Sequence, residues 1–89
     1  MKAVITVIGK DRPGIIATVS GALFEYNANI LDISQTIMQD MFTMIMLIDI
    51  GDISSNFAGL SASLEELGNE IGMKIHVMHE DIFNSMHRI

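Results

Sequence analysis

The chain has 89 residues, of which 49% are hydrophobic and 18% charged, and its eleven acidic and five basic side chains give a net charge of −6. This length suits one domain, and the acidic balance leaves no basic surface for a phosphate backbone, so we expect no nucleic-acid binding. Cysteine is absent, which excludes disulfides and thiolate chemistry, and no apolar run is long enough for a membrane span. We expect a cytoplasmic protein without membrane contact.

A strand followed by a helix is predicted at the start of the chain. Ala3–Ile8 is almost entirely β-branched and apolar on both faces, which is typical of a central strand. Pro13 suits the first turn of a helix, because its missing N–H costs nothing there. Apolar residues then repeat at helical spacing, and the helix should end near Asn27, which tolerates the left-handed conformation.

The middle of the chain predicts an antiparallel hairpin. The stretch Asn29–Gln39 alternates in hydropathy and indicates a half-exposed strand. Met41–Ile50 is apolar on both faces and should be a buried strand, joined to the first by a short turn at Gln39-Asp40. The alternation sets one group of side chains, Leu31, Ile33, Gln35 and Ile37, against another, Ile30, Asp32, Ser34 and Thr36.

The last third predicts a second helix, a strand and a short tail helix. Apolar residues at one-face spacing run from Phe57 to Ile71, although Gly68 should weaken the last turn of that helix. Met73–His79 follows as the fourth strand. One helical face of the tail is apolar, and it carries Ile82, Phe83, Met86 and Ile89.

The element order βαββαβ favours an α+β, ferredoxin-like fold, in which a four-stranded antiparallel sheet carries both helices on one face. We assign residues 1–80 to this domain and residues 81–89 to a tail that forms a short docking helix. The strands that are apolar on both faces would leave methionine and isoleucine side chains on the uncovered face of the sheet. A second copy of the chain is the simplest cover, so we expect a homodimer or a larger homo-oligomer.

The loop Gly9–Gly14 is the strongest candidate for a binding site, since it leaves a central strand and enters a helix within a few residues. The first N–H groups of that helix have no intrahelical acceptor and carry partial positive charge, which suits a carboxylate or a phosphate. A purely structural interpretation is also open. In it Asp11 caps the helix, Pro13 starts it, and Gly14 relieves crowding against the sheet.

The motif Asp11-Arg12-Pro13-Gly14-Ile15-Ile16, followed by Asn29-Ile30, resembles the ACT domain, a ferredoxin-like regulatory module. The likeness runs from Lys2 to about Glu80. It is most similar to the ACT domains of formyltetrahydrofolate deformylases and glycine cleavage regulators, and to small proteins made of one such domain. Asn27 departs from the family pattern, which commonly has glycine at this helix end.

The resemblance implies a regulatory module that senses an amino acid or a related small carboxylate at a subunit interface. The loop of one subunit would face the start of a neighbour's second strand. Arg12 is then either a charge partner of the ligand or a solvated side chain. The implied ligand-binding residues are Gly9, Lys10, Asp11, Arg12, Pro13, Gly14, Ile15, Asn29 and Ile30.

Other functions fit the sequence less well. The chain can instead be a ligand-free module for oligomerisation or protein interaction, and an acylphosphatase-like enzyme would use Arg12 on phosphate. We expect no catalysis, because the serines lie in no nucleophile motif, and no cofactor. We also expect no metal site, since His76 and His79 point to opposite faces of a strand.

Overall fold

The computed structural model describes residues 1–51 and 55–86. Its element order is the predicted βαββαβ with a further short helix at the carboxyl end. In chain order the elements are β1 (Lys2–Lys10), α1 (Ile15–Glu25), β2 (Asn29–Met38), β3 (Met41–Asp49), α2 (Ser55–Ile71), β4 (Met73–His79) and α3 (Glu80–Met86). Residues 87–89, including His87 and Ile89 of the predicted tail helix, lie outside the described residues.

The four strands form one antiparallel sheet in the order β2-β3-β1-β4, so the ferredoxin-like prediction is confirmed. β1 lies between two partners, as its apolar character on both faces indicates. β2 and β3 form the predicted hairpin, with Gln39 at φ 59° in its turn. β2 and β4 are the two edges of the sheet.

The core lies between the sheet and the pair of helices α1 and α2. Alternate residues of the central strands point into it and are fully buried, as the side chains of Ile5, Met44 and Met46 show. The two helices also contact each other, where the Tyr26 hydroxyl donates a hydrogen bond of 3.1 Å to the carbonyl oxygen of Gly59. The remaining core side chains include Val7, Val19, Leu23, Ile48, Leu60 and Leu64.

Gly68 corrects the expectation of a weakened last turn, because α2 continues without interruption to Ile71. A Cβ atom at this position would lie 2.6 Å from the Met73 carbonyl oxygen and 3.1 Å from a side-chain carbon of Ile75. Glycine therefore allows α2 to pack directly against the backbone of β4. Close packing of the helix on the sheet offsets the cost of its low helix propensity.

β2 departs from the predicted alternation. A β-bulge between Ile30 and Asp32 inserts one extra residue, which places Ile30 on the same face as Ile33 rather than on the face of Asp32. All ten residues of the strand are exposed, so it is not half-exposed as predicted, because the core that α1 and α2 form with the other three strands includes no β2 side chain. The alternation carries no information about which strand the helices reach.

The opposite face of the sheet is covered at one end only. Val4 points to this face, away from α1 and α2, yet it is only 3% exposed. α3 packs on β1 and β4 and accounts for that burial. Near the other end of the same face Ile8 and Ile45 are exposed, as predicted for a sheet with helices on one side.

Among the described residues, no helix is long and apolar enough to cross a membrane.

Candidate functional site

A cleft of about 480 Å³ opens between the loop after β1, the first turn of α1 and the hairpin end of β2 and β3. Its floor is apolar, because Ile15 and Phe42 lie at the edge of the core. Polar groups of the loop stand on one side, and β2 forms the other wall. The complete lining consists of Asp11, Arg12, Gly14, Ile15, Ile16, Ala17, Gln35, Ile37 and Phe42.

Gly14 precedes α1 in a left-handed conformation with φ 86° and ψ 3°. A non-glycine residue is strained there, although a Cβ atom would meet nothing within 4 Å. This corrects the interpretation that Gly14 relieves crowding against the sheet. The backbone turns so sharply at Gly14 that α1 begins at Ile15, and Pro13 lies in the preceding turn rather than in the helix.

The amides that start α1 have no cap from any described side chain. The interpretation of Asp11 as the helix cap is therefore wrong. The first bond of the helix runs from the Thr18 amide to the Gly14 carbonyl oxygen at 2.9 Å, which leaves the N–H groups of Ile15, Ile16 and Ala17 without an intrahelical acceptor. All three residues line the cleft, where these donors and the positive end of the helix dipole favour an anion.

Two hydrogen bonds hold the loop in place. The Asp11 amide donates to the Asp40 carbonyl oxygen at 2.7 Å, which ties the loop to the hairpin turn. Arg12 Nη1 donates to the Ile71 carbonyl oxygen at 3.1 Å and so satisfies an acceptor at the end of α2. Arg12 is thus neither simply solvated nor committed to a ligand, since its other N–H groups stay available in the cleft.

The remaining predicted loop residues lie outside this cleft. Gly9 borders a separate cleft near Met73 and Gly72, where a Cβ atom would lie 2.5 Å from the Met73 sulfur. Lys10 is opposite Met41 in the register and points to the face of the sheet without α1 and α2. Pro13 is exposed in the turn before α1. Their predicted binding role stays a prediction.

Asn29 and Ile30 lie at the far end of the sheet from the loop. Asn29 pairs with Asp49, which pairs in turn with Lys2 at the start of β1, whereas the loop follows the end of β1. Within one chain these residues therefore do not meet the cleft. Only a second subunit can bring them there.

Five lining residues are not in the predicted site: Ile16 and Ala17 of α1, and Gln35, Ile37 and Phe42 of the hairpin. The register places Ile37 opposite Phe42 and shows that both point to the side of α1. Periodicity places Gln35 and Ile37 on one strand face. The pairing of β3 with β1 brings the hairpin end beside the loop, and periodicity does not reveal this pairing.

The two described histidines point apart, as the strand geometry predicts. His76 is opposite Thr6 and His79 is opposite Ala3, so the two point to different faces of the sheet. His79 Nδ1 accepts a hydrogen bond from the Asp81 amide at 3.1 Å, which fixes the start of α3. Within residues 1–51 and 55–86, no three potential metal ligands come together.

A sequence model of the ACT domain matches residues 2–78, from the start of β1 almost to the end of β4. The chain belongs to the ACT domain family. A UPF0237 protein from Methanococcus maripaludis is 62% identical over 86 residues, which cover 97% of this chain and 96% of that protein. A UPF0237 protein from Listeria monocytogenes is 51% identical over 89 residues and covers both chains completely.

Three solved structures have a similar fold. An ACT domain protein from Streptococcus pneumoniae superposes with a TM-score of 0.82 at 42% identity and covers 93% of each chain. A glycine cleavage system transcriptional repressor superposes with a TM-score of 0.77 at 29% identity, over 89% of this chain and 47% of that one. The regulatory subunit of aspartate kinase from Thermus thermophilus superposes with a TM-score of 0.70 at 26% identity, over 89% of this chain and 51% of that one.

Proposed function

We propose that this ACT domain binds a small carboxylate, best fitted by an apolar amino acid, in a cleft shared by two subunits, and that it acts as a regulatory module. One observation carries the proposal. The uncapped amides of α1 open onto an apolar cleft whose outer wall is an exposed edge strand. Two structural neighbours are named as regulators of amino-acid systems, which supports the same ligand class.

The lining groups match the parts of an amino acid. The amides of Ile15, Ile16 and Ala17 provide donors for a carboxylate. The Asp11 carboxylate lies on the same cleft and suits an ammonium group. Ile37 and Phe42 offer an apolar surface for a side chain, and burying that side chain would supply the remaining affinity.

The exposure of β2 supports the second subunit of this proposal. All ten residues of this edge strand are exposed, and they include Ile30 at 38%, Ile33 at 42% and Ile37 at 49%. An unpaired edge with apolar side chains is a template for another strand. Antiparallel pairing of two β2 strands along their length would place the partner's Ile30 near Ile37, at the cleft. This arrangement reconciles the distant position of Asn29 and Ile30 with the predicted site.

Thermal unfolding of the protein with each of the twenty amino acids, and with folates, at millimolar concentration identifies the ligand. A compound present at about 100 times its dissociation constant adds about 2.7 kcal/mol to the free energy of unfolding, which raises the Tm by several degrees. We expect at least one amino acid with an apolar side chain to do so. A panel without any shift would contradict the proposal.

Ala17→Trp tests the position of the site. Ala17 is exposed and lines the cleft, so an indole there fills the ligand's space without changing the backbone at Gly14. Ala62→Trp is the matched control, because Ala62 is exposed on α2 away from the cleft. We expect the first variant to lose the thermal shift and the second to keep it. Equal shifts in both variants would place the ligand elsewhere.

An assembly module without a ligand is the second candidate, and the apolar edge of β2 favours it. It predicts that Ile33→Lys abolishes association while no small molecule changes the Tm of the parent protein. An acylphosphatase-like function rests on Arg12 alone, which also donates to the Ile71 carbonyl oxygen, so we do not propose it. That function would be supported if the parent protein released phosphate from an acyl phosphate and the Arg12→Ala variant did not.

A further inference from the structure

The sheet face opposite α1 and α2 has a bare end, defined by eleven strand positions. The pairing of the four strands places these side chains together on one face, beside the hairpin turn. Nine of them are exposed and two are half-buried. The bare end consists of Thr6, Ile8, Lys10, Ser34, Thr36, Met38, Met41, Thr43, Ile45, Lys74 and His76.

The bare end combines apolar and cationic side chains. Four large apolar side chains are exposed on it: Ile8 by 44%, Met38 by 71%, Met41 by 47% and Ile45 by 39%. Lys10 and Lys74 flank them, and none of the eleven positions, all described, holds a carboxylate. The charge of the bare end is therefore opposite in sign to that of the whole chain, in which eleven acidic residues outnumber five basic ones.

α3 has the complementary chemistry and lies on the same face. It covers the end of the sheet around Val4, which is 3% exposed. Glu80 and Asp81 form its first turn, and Ile82 is 56% exposed on its outer side. The face therefore carries an acidic and apolar helix at one end and a cationic and apolar surface at the other.

We propose that two copies of the chain associate through this face, with the α3 helix of each copy seated on the bare end of the other. A two-fold axis makes such an interface self-complementary, because each acidic helix meets the partner's lysines and each Ile82 meets the partner's apolar side chains. The two helices then lie side by side between the sheets and fill one layer about 10 Å thick.

The size of the face fits a stable dimer. The molecule measures 37 × 35 × 19 Å, so its broad face can supply the roughly 800 Å² per partner of a standard interface. This contact uses side chains on the face of the sheet, whereas pairing at the β2 edge uses backbone groups, and it does not depend on a ligand. Together, the two contacts would make a tetramer.

Association is measured by sedimentation velocity or light scattering over a range of protein concentrations. Ile8→Glu and Ile82→Glu each place a carboxylate in the proposed contact, and we expect each to halve the mass of the parent protein. Ala62→Glu, which adds the same charge on the side of the helices, should leave the mass unchanged. A monomeric parent protein, or a mass that both variants retain, would overturn the proposal.

Cross-linking tests the arrangement of the two copies directly. The chain has no cysteine, so Ile8→Cys protein and Ile82→Cys protein can be mixed and oxidised without background. A disulfide between the two variants joins separate molecules by design. We expect several-fold more of it than in a mixture of Ala62→Cys and Ile82→Cys proteins. Equal yields would overturn the proposed arrangement, and would leave a different protein or a membrane surface as the occupant of the face.

Discussion

Gly68 and Gly21 are both helical glycines, and packing requires only the first. At Gly68 an added Cβ atom would lie 2.6 Å from the Met73 carbonyl oxygen, whereas at Gly21 it would meet nothing within 4 Å. Sequence patterns predict the same helix-propensity cost for both residues, because propensity does not depend on the distance to a neighbouring strand. The structure separates them through the approach of α2 to β4.

Gly68→Ala should lower the free energy of unfolding by about 1–3 kcal/mol, since a carbonyl oxygen cannot yield as a flexible side chain does. Gly21→Ala should raise it by about 0.5–1 kcal/mol, because alanine has the higher helix propensity and finds open space. Urea denaturation measures both changes. Two changes of the same sign would contradict this account of α2 packing.

Asp49 should contribute to stability at neutral pH. Its carboxylate accepts a hydrogen bond of 2.9 Å from the Gly51 amide and lies 3.4 Å from the amino terminus, and the Gly51 bond in particular lowers the pKa of Asp49. A lowered folded-state pKa gives stability that is present above the ordinary value of 3.8 and is lost as the pH falls through the folded value.

Asp49→Asn should therefore reduce the Tm at pH 7, and the difference from the parent protein should shrink below pH 4, where the parent carboxylate becomes protonated. Thermal unfolding of both proteins at several pH values measures this difference in Tm. A difference in Tm that is constant from pH 7 to pH 2 would show that the charge of Asp49 is irrelevant.

At the scale of elements, periodicity predicts the type and order of every strand and helix. It fails where the backbone conformation of a single residue changes the direction of the side chains or the start of the helix next to it. The bulge after Ile30 changes the sheet face to which Asn29 and Ile30 point, and the left-handed Gly14 moves the start of α1 past Pro13. Neither event changes the hydropathy pattern enough to be recognised, because each affects the backbone of a single residue.

Arg12 links two elements that are distant in sequence. Its bond to the Ile71 carbonyl oxygen connects the loop after β1 with the end of α2. Arg12→Ala should lower the free energy of unfolding by about 0.5–1.5 kcal/mol, the contribution of a typical hydrogen bond. Hydrogen exchange should become faster in residues 9–14 and in the last turn of α2, with the amides of β3 as internal control. Unchanged exchange in both segments would mean that the link is not stabilising.

At the scale of the whole molecule, the sequence locates half of the candidate site. The loop before α1 is recognisable from Gly14 and the helix that follows it. The other wall depends on the strand order, which brings Ile37 and Phe42 to the loop. Asn29 lies at the far end of the sheet and would reach a cleft only in the proposed dimer. Neither relation is local in sequence, so no pattern within a window of residues contains it.

The proposed site has a consequence that a site within one chain does not share. Each cleft takes α1 from one subunit and the start of β2 from the other. Ala17→Trp blocks the first contribution, and Asn29→Trp blocks the second. A dimer of either variant has no intact cleft, whereas a mixed dimer has one cleft built entirely from unchanged surfaces.

The measurement that tests this most directly is equilibrium dialysis with the amino acid that gives the largest thermal shift. Each variant alone should bind none. An equal mixture, after subunit exchange, should recover about one quarter of the parent capacity, because half of the dimers are mixed and each has one of two clefts. A mixture that binds no more than the separate variants would contradict a site shared between subunits.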